Sequence, residues 1–302
     1  MKRLVYFLLI FIFTLSLCGC TKEEVTPYNL NIISPSFADI HSHYAPGADE
    51  NNKYVLANSE SYPLYLTEKR MSVLSSLTIC DENISSETAQ KITDLCKQYN
   101  VPVFFLMNDI PQEITAEYDK AFCISADYTY IGERFAEKIN TLWEDAIIDK
   151  DGDRIFSFSV VAPETISAMQ QSFYDNLLKN IELLGIPLSQ LEETHISRGD
   201  VLAYCNNNKK KNEAFIILDN NYISLFPDNY QPHKSGIEIL GMEFGVENEY
   251  TEYPYMLLCF INYTQYFDAK DAVMENINAK VYPFKDIEYN VIDKNIYIQP
   301  EI

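Results

Sequence analysis

Short apolar runs alternate along this chain with longer segments in which apolar residues recur every three or four positions. The clearest case lies between residues 101 and 161, where the order is strand, strand, helix, acidic turn and strand. Such alternation is typical of an open α/β sheet. The predicted pieces are, in order, 102–107, 118–127, a helix opened by Gly132 and continuing to Trp143, the turn 149–153, and 155–161.

The rest of the chain continues the same alternation. A length of 302 residues favours two domains. The segment 37–52 is short and polar, so we expect a shortened first helix. Further strands are predicted at 30–34, 54–57, 77–80, 194–196, 214–218, 237–242 and 256–261, helices at 64–74, 87–99, 166–184, 200–204 and 267–278, and a closing hairpin at 292–300.

Residues 1–19 have the features of a bacterial signal segment. Lys2 and Arg3 precede an apolar stretch of about 14 residues, which is too short for a comfortable membrane span. Cys20 follows the small residue Gly19, as in a lipobox, and a polar tether extends over 20–27. We therefore expect a chain anchored through a lipid on Cys20 outside the cytoplasm, at the cell membrane. A plain secretory signal is the alternative.

Charge and cysteine content narrow the function classes. The formal net charge is −21, which argues against a nucleic-acid partner because phosphate binding needs a basic surface. The five cysteines after Cys20 are odd in number and lack paired spacing, so we expect buried thiols and no disulfide framework.

Several motifs in the central stretch resemble the galactose/glucose-binding proteins, which are solute receptors of ABC transporters. The resemblance rests on Pro-Val-Phe-Phe at 102–105, Tyr-Asp-Lys-Ala at 118–121, Asp127 with Gly132, and Asp-Lys-Asp-Gly at 149–152. It implies the periplasmic binding protein type I fold, in which two doubly wound, Rossmann-like lobes are joined by crossover segments, here with a shortened first lobe.

The resemblance also implies the lobe boundaries and the biological role. The first lobe would comprise 28–126 plus 262–290, and the second 127–261 plus 291–302. The chain would be a monomeric, non-enzymatic carbohydrate receptor of an ABC-type sugar transport system, with a small sugar-like ligand in the cleft and a membrane permease as partner.

Polar residues at predicted strand ends are candidates for the ligand site, because ligands of open α/β sheets bind beyond the carboxyl ends of the strands. Carboxylates and amides can bind sugar hydroxyl groups. A role as a helix cap or turn residue is an equally good explanation for each of these residues. The resemblance adds Phe37 and Asp39. The full candidate set is Phe37, Asp39, Asn108, Asp219, Glu243 and Asn262.

The segment 163–171 departs from the family. It lacks the His, Asp and Arg that the family places on the sugar, and Trp143, the only Trp, lies in a predicted helix. A degenerate receptor that acts as a non-transporting binding or sensing module is therefore the alternative function.

The sequence contains two candidate metal-binding motifs. The turn 149–153 places Asp149, Asp151 and Asp153 at alternate positions around Gly152, as in a calcium loop, and Glu213 matches the family's distant glutamate. The alternative is a solvated turn.

The second metal motif comprises Asp39, His41 and His43, which look like the opening of a PHP-type phosphoesterase. A metal-dependent hydrolase is thus a third functional hypothesis, although such a site needs further ligands from later strand ends.

Overall fold

The computed structural model describes residues 26–108, 110–126, 128–145, 148–149, 151–219, 222, 225–226, 238–245 and 256–280. The predictions for the signal segment, for Cys20 and for a closing hairpin at 292–300 lie outside these residues.

Ten described strands form two five-stranded sheets, and every pairing within them is parallel. The first sheet has the order β2-β1-β3-β4-β5 and the second the order β10-β9-β8-β6-β7. Numbered from its own first strand, each sheet has the order 2-1-3-4-5, so the two halves share one topology. The strands are β1 Tyr28–Ile33, β2 Asn52–Leu56, β3 Leu74–Cys80, β4 Val103–Leu106, β5 Ala121–Ile124, β6 Phe156–Ala162, β7 Leu188–His195, β8 Ala214–Ile217, β9 Glu238–Gly245 and β10 Met256–Asn262.

Helices connect successive strands from β1 to β8, as parallel pairing requires. The described α-helices are α1 Ala38–Tyr44, α2 Tyr62–Tyr65, α3 Glu68–Met71, α4 Ser86–Tyr99, α5 Gln112–Ala116, α6 Tyr128–Glu144, α7 Ala168–Leu183, α8 Val201–Asn208 and α9 Thr264–Asn278. α1 has seven residues, so the predicted shortening of the first helix is confirmed.

Local signals account for the best-predicted helices. The Ser85 hydroxyl oxygen accepts a hydrogen bond from the Thr88 amide at the start of α4, and Asn100 ends the helix in the left-handed conformation. Ser167 and Gln170 form a reciprocal capping box at the start of α7.

The core contains apolar strands that are covered on both faces, which explains their continuous apolar runs. One buried cluster contains Phe104 and Phe122 of the first sheet together with Phe156 and Phe158 of the second. Two further clusters lie on the remaining faces, one on each sheet.

Four expectations about the elements were wrong. Gly132 does not open a helix, because α6 begins at Tyr128. The segment 64–74 forms two short helices, since Pro63 favours a first turn and Thr67 is extended. Residues 118–120 form a turn ahead of β5, so that strand is shorter than predicted. β7 begins at Leu188 rather than near 194, and its largely exposed edge position hid it from a search for apolar runs.

Candidate functional site

Each sheet has one point at which the strand order reverses. In the first sheet it lies between β1 and β3, and in the second between β6 and β8. The connections from two such neighbours leave in opposite directions, and this opens a crevice at the carboxyl ends of the strands. The segments that border these crevices are 34–37 and 81–85 in the first half, and 163–167 and 218–219 in the second.

A buried hydrogen-bond network holds the segment after β3. The hydroxyl group of Tyr62 donates to Asp81 Oδ2 at 2.5 Å, and the Asn83 amide donates to Asp81 Oδ1 at 3.0 Å. Asn108 Nδ2 donates to the Asp81 carbonyl oxygen at 3.3 Å. Burial and the neighbouring Asp81 carboxylate raise the pKa of Tyr62, which therefore stays a donor. The network fixes the backbone that presents the next residue, Glu82.

Glu82 occupies an unusual environment for a carboxylate. Its Oε2 atom is enclosed by protein and has no hydrogen-bond partner. Burial, together with the Asp219 and Asp81 carboxylates, raises the pKa of Glu82 from 4.5 to about 7, while a hydrogen bond from Ser36 opposes the rise. Because Glu82 follows β3 and Asp219 follows β8, their interaction connects the two crevices across the molecule.

Three predicted residues belong to neighbouring strands of the second sheet or follow them. Asp219 lies two residues beyond Ile217, which ends β8 and pairs with Gly241 of β9. Asn262 is the last residue of β10. Glu243 does not follow its strand, as the sequence suggested, but lies inside β9, which continues to Gly245.

Tyr222 interacts electrostatically with two carboxylates, those of Asp219 and Glu164. The pKa of Tyr222 is raised by burial and by the Asp219 and Glu164 carboxylates. Its hydroxyl group donates to the carbonyl oxygen of Ile196 at 2.6 Å. Glu164, after β6, and Asp219, after β8, thus border the same crevice.

The three candidates from the first half have different environments. Phe37 is 3 % exposed and belongs to the apolar core, whereas Asp39 is exposed on α1. Asn108 is 2 % exposed, and besides its bond to Asp81 its Oδ1 atom lies 3.7 Å from the Cys123 thiol. Asn108 thus positions the segment after β3 in this conformation.

Sequence analysis missed Tyr62, Asp81 and Glu82. The signal for the last two was present, because they directly follow the predicted strand 77–80, and the strand-end rule applies to them as it does to Asp219. Tyr62 had no such signal, since its contact with Asp81 depends on the tertiary fold.

The residues of the hydrolase hypothesis share the helix α1. The His43 ring contacts Tyr44 and Tyr263, with ring centroids 4.9 and 5.8 Å away. Within the described part of the chain, the only group of three or more His, Cys, Asp or Glu residues close enough to hold a metal ion is that of Asp149, Asp151 and Asp153. Asp39, His41 and His43 therefore do not form a metal centre there.

The carboxylate oxygens of Asp149, Asp151 and Asp153 lie within 4.8 Å of one another. The loop supports them with its own amides: Asp153 donates to Asp151 Oδ1 at 3.1 Å, and Ile155 donates to Asp153 Oδ1 at 2.7 Å. Glu213 is buried and accepts from the Ser157 amide at 2.9 Å through Oε2. The Arg154 guanidinium lies 3.7 Å from Asp149 Oδ2 and offsets part of the negative charge.

None of the helices described here combines the length and the apolar character that crossing a membrane requires.

Comparisons with known proteins identify the fold. No family model and no curated protein matches the sequence. Among solved structures, a periplasmic sugar-binding protein of an ABC sugar transporter from Legionella pneumophila is 11 % identical, with a TM-score of 0.58 over 83 % of this chain and 95 % of that one.

Two further structures show the range of proteins that share this architecture. An ABC transporter solute-binding protein from Actinobacillus succinogenes with bound D-allose is 10 % identical, with a TM-score of 0.61 over 84 % of this chain and 92 % of that one. A LacI family transcription regulator from Clostridium acetobutylicum is 13 % identical, with a TM-score of 0.55 over 88 % and 96 %. The chain therefore has the type I periplasmic binding protein fold.

Proposed function

We propose that this chain, which has the fold of type I periplasmic sugar-binding proteins, is an extracytoplasmic carbohydrate receptor of an ABC-type transport system. The observation that carries the proposal is the position of Glu82 and Asp219, which follow strands beside the switch points of the two sheets and interact electrostatically. Two parallel sheets with the same strand order thus direct polar side chains towards a common space. A small polar molecule between them would contact both halves at once.

Such a ligand acts by changing the relative populations of two states. In an open form the crevices are accessible, and a ligand that touches both halves favours a closed form by its differential affinity. Carboxylates on each side accept hydrogen bonds from ligand hydroxyl groups. The receptor does no covalent chemistry, and the closed form would present a surface to a membrane permease.

The proposed location rests on the sequence. The positive start, the short apolar stretch and Cys20 after Gly19 support a lipid anchor at the cell membrane, with the polar segment 20–27 as a tether. Mass spectrometry of protein purified from a bacterial membrane tests this: an acylated peptide beginning at Cys20 is expected, and an unmodified mature N-terminus would contradict it.

Small-angle scattering and thermal unfolding test the receptor function. The protein should contract and melt at a higher temperature in the presence of a sugar from a panel that includes D-allose, D-galactose and D-glucose. The Asp219→Asn variant should lose much of the shift, while Asp119→Asn, which alters an exposed turn, should retain it. Unchanged scattering and melting across the panel would contradict the proposal.

A non-transporting module is the second candidate, and one observation favours it. Phe37 and Asn108, two of the side chains expected on the sugar, are buried in the protein's own contacts. A chain of this class would fold stably but show no melting shift with any sugar in the panel.

We also propose that the turn 149–153 binds calcium. The convergence of Asp149, Asp151 and Asp153 supports this, because clustered carboxylate oxygens are the ligands that this ion prefers. Glu213, which the resemblance assigns to this site, is the proposed fourth ligand, although it does not belong to the group of three converging carboxylates in this structure. A bound calcium ion would tie the loop ahead of β6 to the residue that precedes β8.

A further inference from the structure

We infer that the cleft takes a ligand with a protonated amine, such as an amino sugar, and holds the ammonium group between Glu82 and Asp219. This inference rests on the proposed receptor function and narrows the class of ligand. It begins with the Oε2 atom of Glu82, which is enclosed by protein and receives no hydrogen bond. A carboxylate oxygen in that state carries a desolvation cost that a suitable donor would remove.

No donor of the protein forms a hydrogen bond to this oxygen. The Ser36 hydroxyl group is near enough to donate to Glu82, but it also lies 3.0 Å from Ser34 Oγ, and its single proton can go to one acceptor at a time. The neighbouring Asp81 carboxylate already accepts hydrogen bonds from the Tyr62 hydroxyl group and the Asn83 amide. Glu82 is thus the carboxylate at this crevice with an unmet need for a donor.

The four described strand-end segments that border the crevices carry charge of one sign. The segments 34–37, 81–85, 163–167 and 218–219 contain Asp81, Glu82, Glu164 and Asp219 but no Lys or Arg. Among the described residues that follow a strand of either sheet, the nearest basic side chain in sequence is Arg198, three residues after the edge strand β7. The raised pKa of Glu82 agrees with this arrangement, because burial and like charges both disfavour its ionised form.

An ammonium group would satisfy the unpaired acceptor and also compensate the negative charge. It carries three N–H donors, which can serve Glu82 Oε2 and Asp219 together, and its positive charge offsets the repulsion between the two carboxylates. A neutral hydroxyl group supplies a donor but no positive charge to favour the ionised form of Glu82 beside Asp219. Ligands that differ only in this group should therefore differ in affinity.

Matched sugars test the inference by calorimetry on the full-length protein at pH 7. The panel is D-glucosamine, N-acetyl-D-glucosamine and D-glucose, with the three galactose counterparts. We expect at least one amino sugar to bind tenfold or more tightly than both its acetylated and its neutral counterpart. The preference should fall to threefold or less in Glu82→Gln and persist in Glu60→Gln, which changes an exposed glutamate after β2. Asp219→Asn is the second variant and should reduce the preference in the same way.

The outcomes separate this inference from the receptor function. Equal affinity for amino and neutral sugars, or a preference that survives both variants, overturns the inference and leaves a carbohydrate receptor. Absence of binding by every member of this panel overturns the inference, and absence of binding by D-allose as well overturns both.

Discussion

The hydroxyl group of Tyr62 donates a hydrogen bond of 2.5 Å to Asp81, and both side chains are almost fully buried. The pair joins α2 to the end of β3, at the switch point of the first sheet. The short helix α2, in the connection between β2 and β3, thus supports the segment that contains Glu82.

Replacement of Tyr62 by Phe should lower the free energy of unfolding by about 1–3 kcal/mol, because the buried Asp81 carboxylate loses a donor while the ring volume is kept. Urea unfolding at pH 7 measures the change. Tyr65→Phe is the matched control, since Tyr65 is only partly buried and its ring contact with Arg70 does not need the hydroxyl group. Equal stability of the two variants would show that Asp81 does not depend on this bond.

Glu82 should make stability depend on pH. Its pKa is about 7 in the folded protein against an ordinary value of 4.5, so the folded state binds this proton more tightly than the unfolded state. The favourable contribution is therefore complete below the ordinary value and is lost as the pH rises through 7. Relative to the wild type, Glu82→Gln should gain on the order of 2–3 kcal/mol of unfolding free energy between pH 5 and pH 8.

Urea unfolding of both proteins at each pH provides the comparison. Glu60→Gln serves as the exposed control, and its difference from the wild type should remain flat across the same interval. A flat difference for Glu82→Gln as well would mean that Glu82 is solvated like a surface residue.

Gly132 permits the close approach of α6 and α7. A Cβ atom at this position would lie 2.8 Å from the backbone carbon and the Cβ atom of Asn176. Gly132→Ala should therefore destabilise the protein by about 1–3 kcal/mol, in spite of the higher helix propensity of Ala. Gly47→Ala is the control because a Cβ atom there meets nothing within 4 Å. Chemical denaturation of the two variants decides the point, and a stabilised Gly132→Ala would refute the close packing.

Calcium should raise the melting temperature, and a chelator should reverse the rise, because an ion that binds only the folded state stabilises it. Asp151→Asn should reduce or abolish the shift, since it removes one of three converging carboxylates, whereas Asp119→Asn should not. Differential scanning calorimetry with calcium, magnesium and chelator gives the measurement. Identical curves in all three conditions would leave a solvated acidic turn.

Sequence patterns were sufficient where the determinants are local. Ser85 begins α4 and Asn100 ends it in the structure, as their residue types predict. Buried parallel strands such as β4 and β8 appear in the sequence as apolar runs. β7 was underestimated because an edge strand with an exposed face lacks such a run.

The candidate site was harder to predict because its properties arise from distant parts of the chain. The interaction of Glu82 with Asp219 requires that two switch points face each other, and no local pattern reports that arrangement. Asn108 follows its strand as expected, yet the thiol of Cys123 and the carbonyl group of Asp81 occupy its amide. Chain order alone does not distinguish such a supporting amide from one that is open to a ligand.

The contact between Tyr44 and Phe267, with ring centroids 4.4 Å apart, joins the earliest described helix to the last one. The aromatic surface beside α1 therefore gains its cover only when the final described helix has left the ribosome. Until then a nascent chain exposes Tyr44 and its stacked neighbour Tyr54 to solvent and to other chains. The first half of the molecule is thus completed only after the strands of the second sheet have been synthesised, and truncation before α9 should yield an aggregating product.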